Sequence, residues 1–294
     1  MSRYLDPRSD IVFKKIFAEH PHLLISFLNA VLPLPSDGPI KTIEYLYPEQ
    51  APQIPIFKRP VVDVKCTDNQ GRIFVVEMQM EWMAGFMQRM LFNSSQAYIK
   101  QLVRGEDYRS LCPVYGLGIV NAVFDASESW YHHYQIVHVE QPKKQLKGLE
   151  FVFLELPKFK PSTWGEKKLA VLWLRFLSEI PDRATEVPAE LLEVPEIREA
   201  CALSEESAYS EAELDLYHQY WDSVSREKTL MSGSKEEGLT EGLVKGKAEG
   251  LAEGAIKLKA EKEMIAKNLL ALGLEHQKIA EATRLSIQEI EKLI

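Results

Sequence analysis

Cysteine is nearly missing from this 294-residue chain, which carries only Cys66, Cys112 and Cys201. They are far apart and show no paired-ligand spacing, so neither a disulfide scaffold nor a cysteine zinc site is expected, and all three read as reduced thiols. No apolar run reaches the roughly 18 residues that a membrane-spanning helix needs. The first residues, Met-Ser-Arg-Tyr-Leu-Asp-Pro, lack the apolar core of a signal peptide, and the expected location is therefore cytoplasmic. Basic charge is short as well, with 35 Lys+Arg against 43 Asp+Glu. The shortage is local. Residues 1–178 hold 21 basic against 18 acidic side chains, residues 179–227 hold 3 against 14, and residues 228–294 hold 11 of each. The acidic middle is therefore not expected to face a polyanion, whereas the N-terminal part could, although its excess of +3 is no basic patch.

What is present is organised around two short stretches, Val61-Val62-Asp63-Val64-Lys65-Cys66 and Ile73-Phe74-Val75-Val76-Glu77-Met78-Gln79-Met80. Both are rich in β-branched and apolar residues, and Asp68-Asn69-Gln70-Gly71 between them is a turn signal, which predicts a hairpin. Strand side chains alternate between faces, so Asp63 and Lys65 share one face while Val62, Val64 and Cys66 share the other. In the second strand Glu77 and Gln79 oppose Phe74, Val76, Met78 and Met80. A hairpin folded about Gln70 sets Asp63 opposite Glu77, with Cβ atoms roughly 4.5–5.5 Å apart. Two facing carboxylates destabilise a sheet unless one is protonated or a cation lies between them, which predicts a divalent metal site.

Upstream, Ser9 before Asp10-Ile11-Val12-Phe13-Lys14-Lys15-Ile16-Phe17 reads as a capped helix, with Asp10 and Lys14 on one face. A second short helix is expected over residues 22–31, a strand over 40–47 and a proline-rich loop over 48–60. Downstream, residues 82–103 read as one long helix whose Arg89, Asn93, Gln96 and Lys100 form a polar stripe. That stripe is either a solvated face or a surface for phosphates. Residues 114–124 are almost continuously apolar, as in a strand covered on both sides, and residues 135–139 and 151–156 supply two more strands. His132, His133 and His138 are read as structural. Thr163 and Glu166 form a capping box opening a helix to about residue 179. Helical pieces follow around residues 189–203 and 211–224.

The tail repeats glycine every fourth position at Gly238, Gly242, Gly246, Gly250 and Gly254. Each glycine costs about 1 kcal/mol relative to alanine in a helix, so this segment is expected to be flexible alone, or helical against a partner helix. Short helices are expected to end the chain, one stopped at Gly273 and one capped by Ser286 and Glu289. A further short helix over residues 277–283 and the Ser286-capped one resemble a helix-turn-helix in outline, but Gln288, Glu289, Glu291 and Lys292 suit oligomerisation better than DNA reading.

In the hairpin, Asp63 and Glu77 with the Met78 carbonyl offer hard oxygen ligands for Mg²⁺ or Mn²⁺. Such an ion beside a phosphodiester polarises the phosphoryl oxygen and generates the nucleophile. Gln79 could orient the attacking water, Lys65 could offset charge on the phosphate, and Asp10 is a candidate further acid. Together with the segments Ser9 to Phe17, Val62-Asp63-Val64, Val76-Glu77-Met78-Gln79, Arg89, Tyr98 and Gly105-Glu106-Asp107-Tyr108, this arrangement resembles the PD-(D/E)XK nuclease superfamily. More narrowly it is similar to the bacterial recombination-promoting nuclease or putative transposase branch.

The resemblance implies an α/β, restriction-endonuclease-like αβββαβ core, a mixed sheet flanked by helices, with a helical C-terminal extension. It further implies metal-dependent DNA endonuclease activity linked to recombination, with Asp63 and Glu77 as metal ligands, Asp10 as a conditional acid and Gln79 in the place of the usual E-x-K lysine. Val62 stands where the superfamily has proline. DNA contacts are assigned to Lys14, Arg89, Gln96 and Lys100. The expected organisation is a nuclease-like domain over 1–178, an acidic helical extension over 179–230 and a glycine-repeat tail over 231–294 that makes a homo-oligomer. The rival reading is a weakly active or inactive DNA-binding or assembly protein that retains the fold. No separate three-carboxylate ribonuclease-H-like constellation supports a cut-and-paste transposase.

Overall fold

The computed structural model describes residues 3–35, 38–46, 63–102, 105–161 and 168–293. Val61 and Val62, the expected loop over 48–60 and the Thr163/Glu166 capping box lie outside these residues. Contacts divide the chain into two units, residues 1–226 and 227–294.

The first unit is built on a six-stranded mixed sheet of order β1-β2-β3-β4-β6-β5. Its strands are β1 (Ile43–Tyr45), β2 (Val64–Asp68), β3 (Ile73–Gln79), β4 (Val114–Val120), β5 (Tyr131–His138) and β6 (Gln141–Glu155). The β2–β3 hairpin pairs Val64 with Val76, Lys65 with Val75 and Cys66 with Phe74, which is the register set by a fold about Gln70. The turn is held by Asp68. Its buried carboxylate accepts the Gln70 and Arg72 amides at 3.0 Å each and pairs with the Arg72 guanidinium at 2.6 Å. Gly71 closes the turn at φ +76°, a conformation that L side chains rarely adopt.

β3 and β4 run parallel, so a crossover must join them, and α3 (Phe86–Ile99) supplies it. This helix is shorter than the 82–103 expected from periodicity, because the chain enters it through Gly85 at φ +96°. On the α3 face, Ile73, Val75 and Phe153 pack on Phe86, Met90 and Ala97. Gly118 permits the close approach, since a Cβ there would lie 2.6 Å from Phe153 and 3.0 Å from Phe86. The opposite face carries Val64, Cys66, Phe74, Val76, Leu117 and Ile119, and it is covered by α1 (Asp10–Phe17), α2 (Pro21–Val31), α4 (Lys168–Glu179) and α5 (Pro195–Leu203). β4 is buried along its whole length, as its unbroken apolar run requires. The succession α1, β1, β2, β3, α3, β4 is the expected αβββαβ order with α2 inserted, a restriction-endonuclease-like core.

Helix α6 runs from Glu211 to Ala271, with its residues from 227 onward in the second unit. The glycine repeat is therefore helical, and a Cβ added at any glycine from Gly238 to Gly254 would meet no described atom within 4 Å. In that unit α7 (His276–Thr283) and α8 (Ile287–Glu291) fold against the end of α6 around Ala266, Ile279, Leu285 and Ile290. Gly273 ends α6 at φ +78°, and the capping box of Ser286 and Glu289 starts α8. Among the described residues no helix is long and apolar enough to cross a membrane.

Candidate active site

Glu77 lies near the C-terminal end of β3 with only 2% of its surface exposed. A buried carboxylate must be hydrogen-bonded or paired, and α3 provides both partners. Asn93 Nδ2 donates to Oε1 at 2.7 Å, and Arg89 Nε donates to Oε2 at 3.2 Å. Arg89 Nη2 lies 3.1 Å from the same Oε2 and donates to Gln79 Oε1 at 2.7 Å. The polar stripe of α3 is thus split in role. Arg89 and Asn93 turn to the sheet, while Gln96 and Lys100 lie about two and three turns further along the helix, roughly 10 and 16 Å by helical rise.

Asp63 sits in a bend one residue before β2. The register places it beside Glu77, but it is no strand pair. Its Oδ2 turns to the backbone of β3 and accepts the Met78 amide at 2.5 Å. The Met78 N–H thereby ties Asp63 to β3. Burial pushes the Asp63 carboxyl up to about 7; the Met78 hydrogen bond opposes the shift, the Asp10 charge adds to it, Lys14 opposes it and Glu77 adds again. Asp10 and Lys14 at the start of α1 are thereby within electrostatic reach of Asp63, and they form an ion pair at 2.7 Å. Lys65 is partly buried in β2 opposite Val75, on the strand face that alternation shares with Asp63.

Several residues at this corner carry no local sequence signal. Asp6 clamps Arg8 at 2.5 Å, and Arg8 Nη1 donates to Asn121 Oδ1 at 2.9 Å. The Asn121 amide in turn donates to the Gln79 carbonyl at 2.9 Å. From the start of α6, the Tyr217 hydroxyl accepts the Asp6 amide at 3.0 Å and donates to Asp182 at 2.6 Å. Burial raises the Tyr220 hydroxyl pKa, and the charges of Asp10, Asp63 and Asp6 raise it further, so this ring belongs to the same acidic corner. The acidic segment after residue 179, in which the sequence offered no chemistry, therefore contributes to it.

Among the described residues no three His, Cys, Asp or Glu side chains converge as a metal cluster. The donor chemistry still suits a hard divalent ion. Asp63 and Glu77 are oxygen donors, Asp10 adds negative field, and Asp63 Oδ2 and Glu77 Oε1, each accepting one hydrogen bond, keep a second lone pair. Burial and like charge together disfavour the charged form of Asp63, and a bound cation would reverse that balance.

A restriction-endonuclease-like core with carboxylates gathered where β2 begins and β3 ends defines a nuclease-type protein. The sequence model of the PD-(D/E)XK nuclease family transposases matches residues 7–230, and the chain belongs to that family. No curated protein and no solved structure matches it.

Proposed function

We propose that the chain is a metal-dependent DNA endonuclease that hydrolyses phosphodiester bonds in the service of recombination. The observation that carries this reading is geometric: the hairpin register brings Asp63 beside the buried Glu77 where β2 begins and β3 ends, and Asp63 is tied to the Met78 amide there. Asp63 and Glu77, with the Met78 carbonyl, would hold Mg²⁺ or Mn²⁺. Such an ion lowers the pKa of a bound water and stabilises charge on the phosphoryl oxygens. Gln79 orients the attacking water through its amide. In the hydrolysis, the water oxygen forms a new bond to phosphorus and the ester P–O bond breaks; the water proton goes to solvent and the departing oxygen takes one from it. Lys65 offsets phosphate charge, and Lys14, Arg89, Gln96 and Lys100 contact the DNA backbone. The glycine row and exposed Leu239, Leu243 and Leu251 of α6 support self-association through the tail.

Plasmid DNA should be nicked or cut with Mg²⁺ or Mn²⁺, and Glu77→Ala or Asp63→Ala should abolish cleavage while leaving the circular dichroism spectrum unchanged. Uncut plasmid with both metals, or cutting by both variants at the parental rate, would make the reading wrong. The rival, an inactive DNA-binding protein of the same fold, is favoured by one observation, that both Glu77 oxygens already carry hydrogen bonds. It predicts DNA binding without cleavage.

A further inference from the structure

The E-x-K lysine is replaced by Gln79, which removes a cation from the place where charge develops on the phosphate. Arg89 stands beside Gln79. Its Nη2 donates to Gln79 Oε1 at 2.7 Å, and its Nε and Nη2 lie 3.2 and 3.1 Å from Glu77 Oε2. The guanidinium is also held over the Phe86 ring at 5.1 Å, and Phe86 is itself fixed against Trp82 and Phe153. Its position is thus set by three groups on two elements rather than by solvent. The side chain remains 42% exposed, and among the described residues Nη1 has no partner.

A guanidinium presents its donors in a fixed fork, so fixing Nε and Nη2 on the strand leaves Nη1 to aim outward. An arginine serving only to neutralise Glu77 would need no bond to Gln79. An arginine serving only as a general DNA contact would need no bond to either.

We propose that Arg89 supplies from α3 the positive charge that lysine supplies from the strand in the E-x-K motif, with Gln79 acting as its docking point. Beyond the DNA contact proposed above, Arg89 is then a charge-supplying residue for the reacting phosphate. The inference rests on the nuclease reading for its consequence in turnover, but not for the charge itself. Removing a fixed cation beside two carboxylates should tighten metal binding while slowing the chemistry, and a merely structural arginine would not move these two quantities in opposite directions.

The test uses the full chain and four forms: parent, Arg89→Gln, Arg89→Lys, and Arg89→Gln combined with Gln79→Lys. Glutamine at 89 keeps hydrogen-bonding capacity and removes the charge. Cleavage under Mg²⁺ should show kcat lowered about 100-fold or more in Arg89→Gln with KM for DNA changed less than about threefold, and restored to within about tenfold of parent in the double variant. Arg89→Lys should fall between parent and Arg89→Gln. Mn²⁺ titration by calorimetry without DNA should show tighter binding in Arg89→Gln and weaker binding again in the double variant, with circular dichroism spectra showing all four forms folded at the assay temperature. A loss confined to KM, or a double variant no better than Arg89→Gln, overturns the inference. If the parent cuts no DNA, the nuclease reading fails and the Mn²⁺ titration decides the inference alone: equal affinity in all four forms overturns it.

Discussion

Two glutamates are buried in the same sheet, and they are held in opposite ways. Glu155, at the end of β6, is fully buried. Its Oε1 accepts the Phe124 and Asp125 amides at 2.5 and 2.9 Å, and its Oε2 faces the Lys158 ammonium and His132 Nε2. Burial works to raise this carboxyl, but the bonds from Lys158, Phe124, Asp125 and His132 together hold it below the usual carboxylate range. Glu77 has one buried amide and one half-exposed guanidinium, and its neighbour Asp63 is pushed up instead. Equal burial thus marks two different kinds of carboxylate. Where two backbone amides, an ammonium and an imidazole saturate both oxygens the group is structural; where one amide and one half-exposed guanidinium serve a carboxylate beside a second carboxyl, it is the better candidate for an ion.

The largest test of this contrast is a pair of truncations. Glu155→Ala would leave the Phe124 and Asp125 amides without their acceptor and Lys158, which keeps the Asp125 and Ser127 carbonyls, without its counter-charge, and should cost about 3–5 kcal/mol of unfolding free energy. Glu77→Ala should cost less, because Arg89 can swing into solvent, yet it should lose cleavage entirely. Urea unfolding of both variants checks the order. If the two cost the same, buried carboxylates at this sheet cannot be sorted by their partners.

A second test uses pH on Asp63. Its folded pKa, about 7, lies above the roughly 4 of an unfolded aspartate, so its stabilising contribution is complete below pH 4 and is lost as pH rises through 7. Asp63→Asn keeps an acceptor for the Met78 amide without the charge. It should match the parent near pH 4 and exceed it at pH 8 by up to about 4 kcal/mol, because each tenfold change in proton affinity is worth about 1.4 kcal/mol. Thermal or urea unfolding across that range reads it directly. Saturating Mg²⁺ at pH 8 should narrow the gap by stabilising the parent alone. A pH-independent difference would mean that Asp63 is charged without cost, and no cation would then be needed at this corner.

The hairpin half of this contrast is legible in the sequence and the Glu155 half is not, for a physical reason. Strand periodicity and a turn signal within 18 residues set the β2–β3 register, so the neighbourhood of Asp63 and Glu77 follows from local pattern. Alternation also puts Glu77 and Gln79 on the α3 face, though it cannot tell that Asp63 bends toward the Met78 amide. Glu155 depends on a loop about 30 residues away and on a histidine across β5, which no spacing rule links. His132 and His133 read as structural from sequence, and the structure pairs them with Glu155 and Glu150 at 3.3 and 2.6 Å. From α6, Tyr217 bonds Asp6, and Tyr220 comes within electrostatic range of Asp63, across more than 150 residues. Only tertiary packing assembles such pairs, and an acidic helix gives no hint of it.

The smallest effect on the site is expected from the region that departs furthest from its local propensity. Glycine at every fourth position should weaken a solitary helix by about 1 kcal/mol each, yet α6 continues through all five. Within the chain, nothing described lies near those glycines. A helix of this composition gains most of its stability from packing, and the self-association proposed above would supply that packing from another copy. Deleting residues 235–294 should therefore lower the solution mass to that of a smaller assembly, read by light scattering, while shifting the unfolding midpoint of the remaining domain by less than about 1 °C. It should leave the single-turnover cleavage rate unchanged, since Tyr217 and Tyr220 are retained. An unaltered assembly state would remove the tail as the contact between copies, and a slowed single turnover would show that the catalytic corner draws on more of α6 than its first turns.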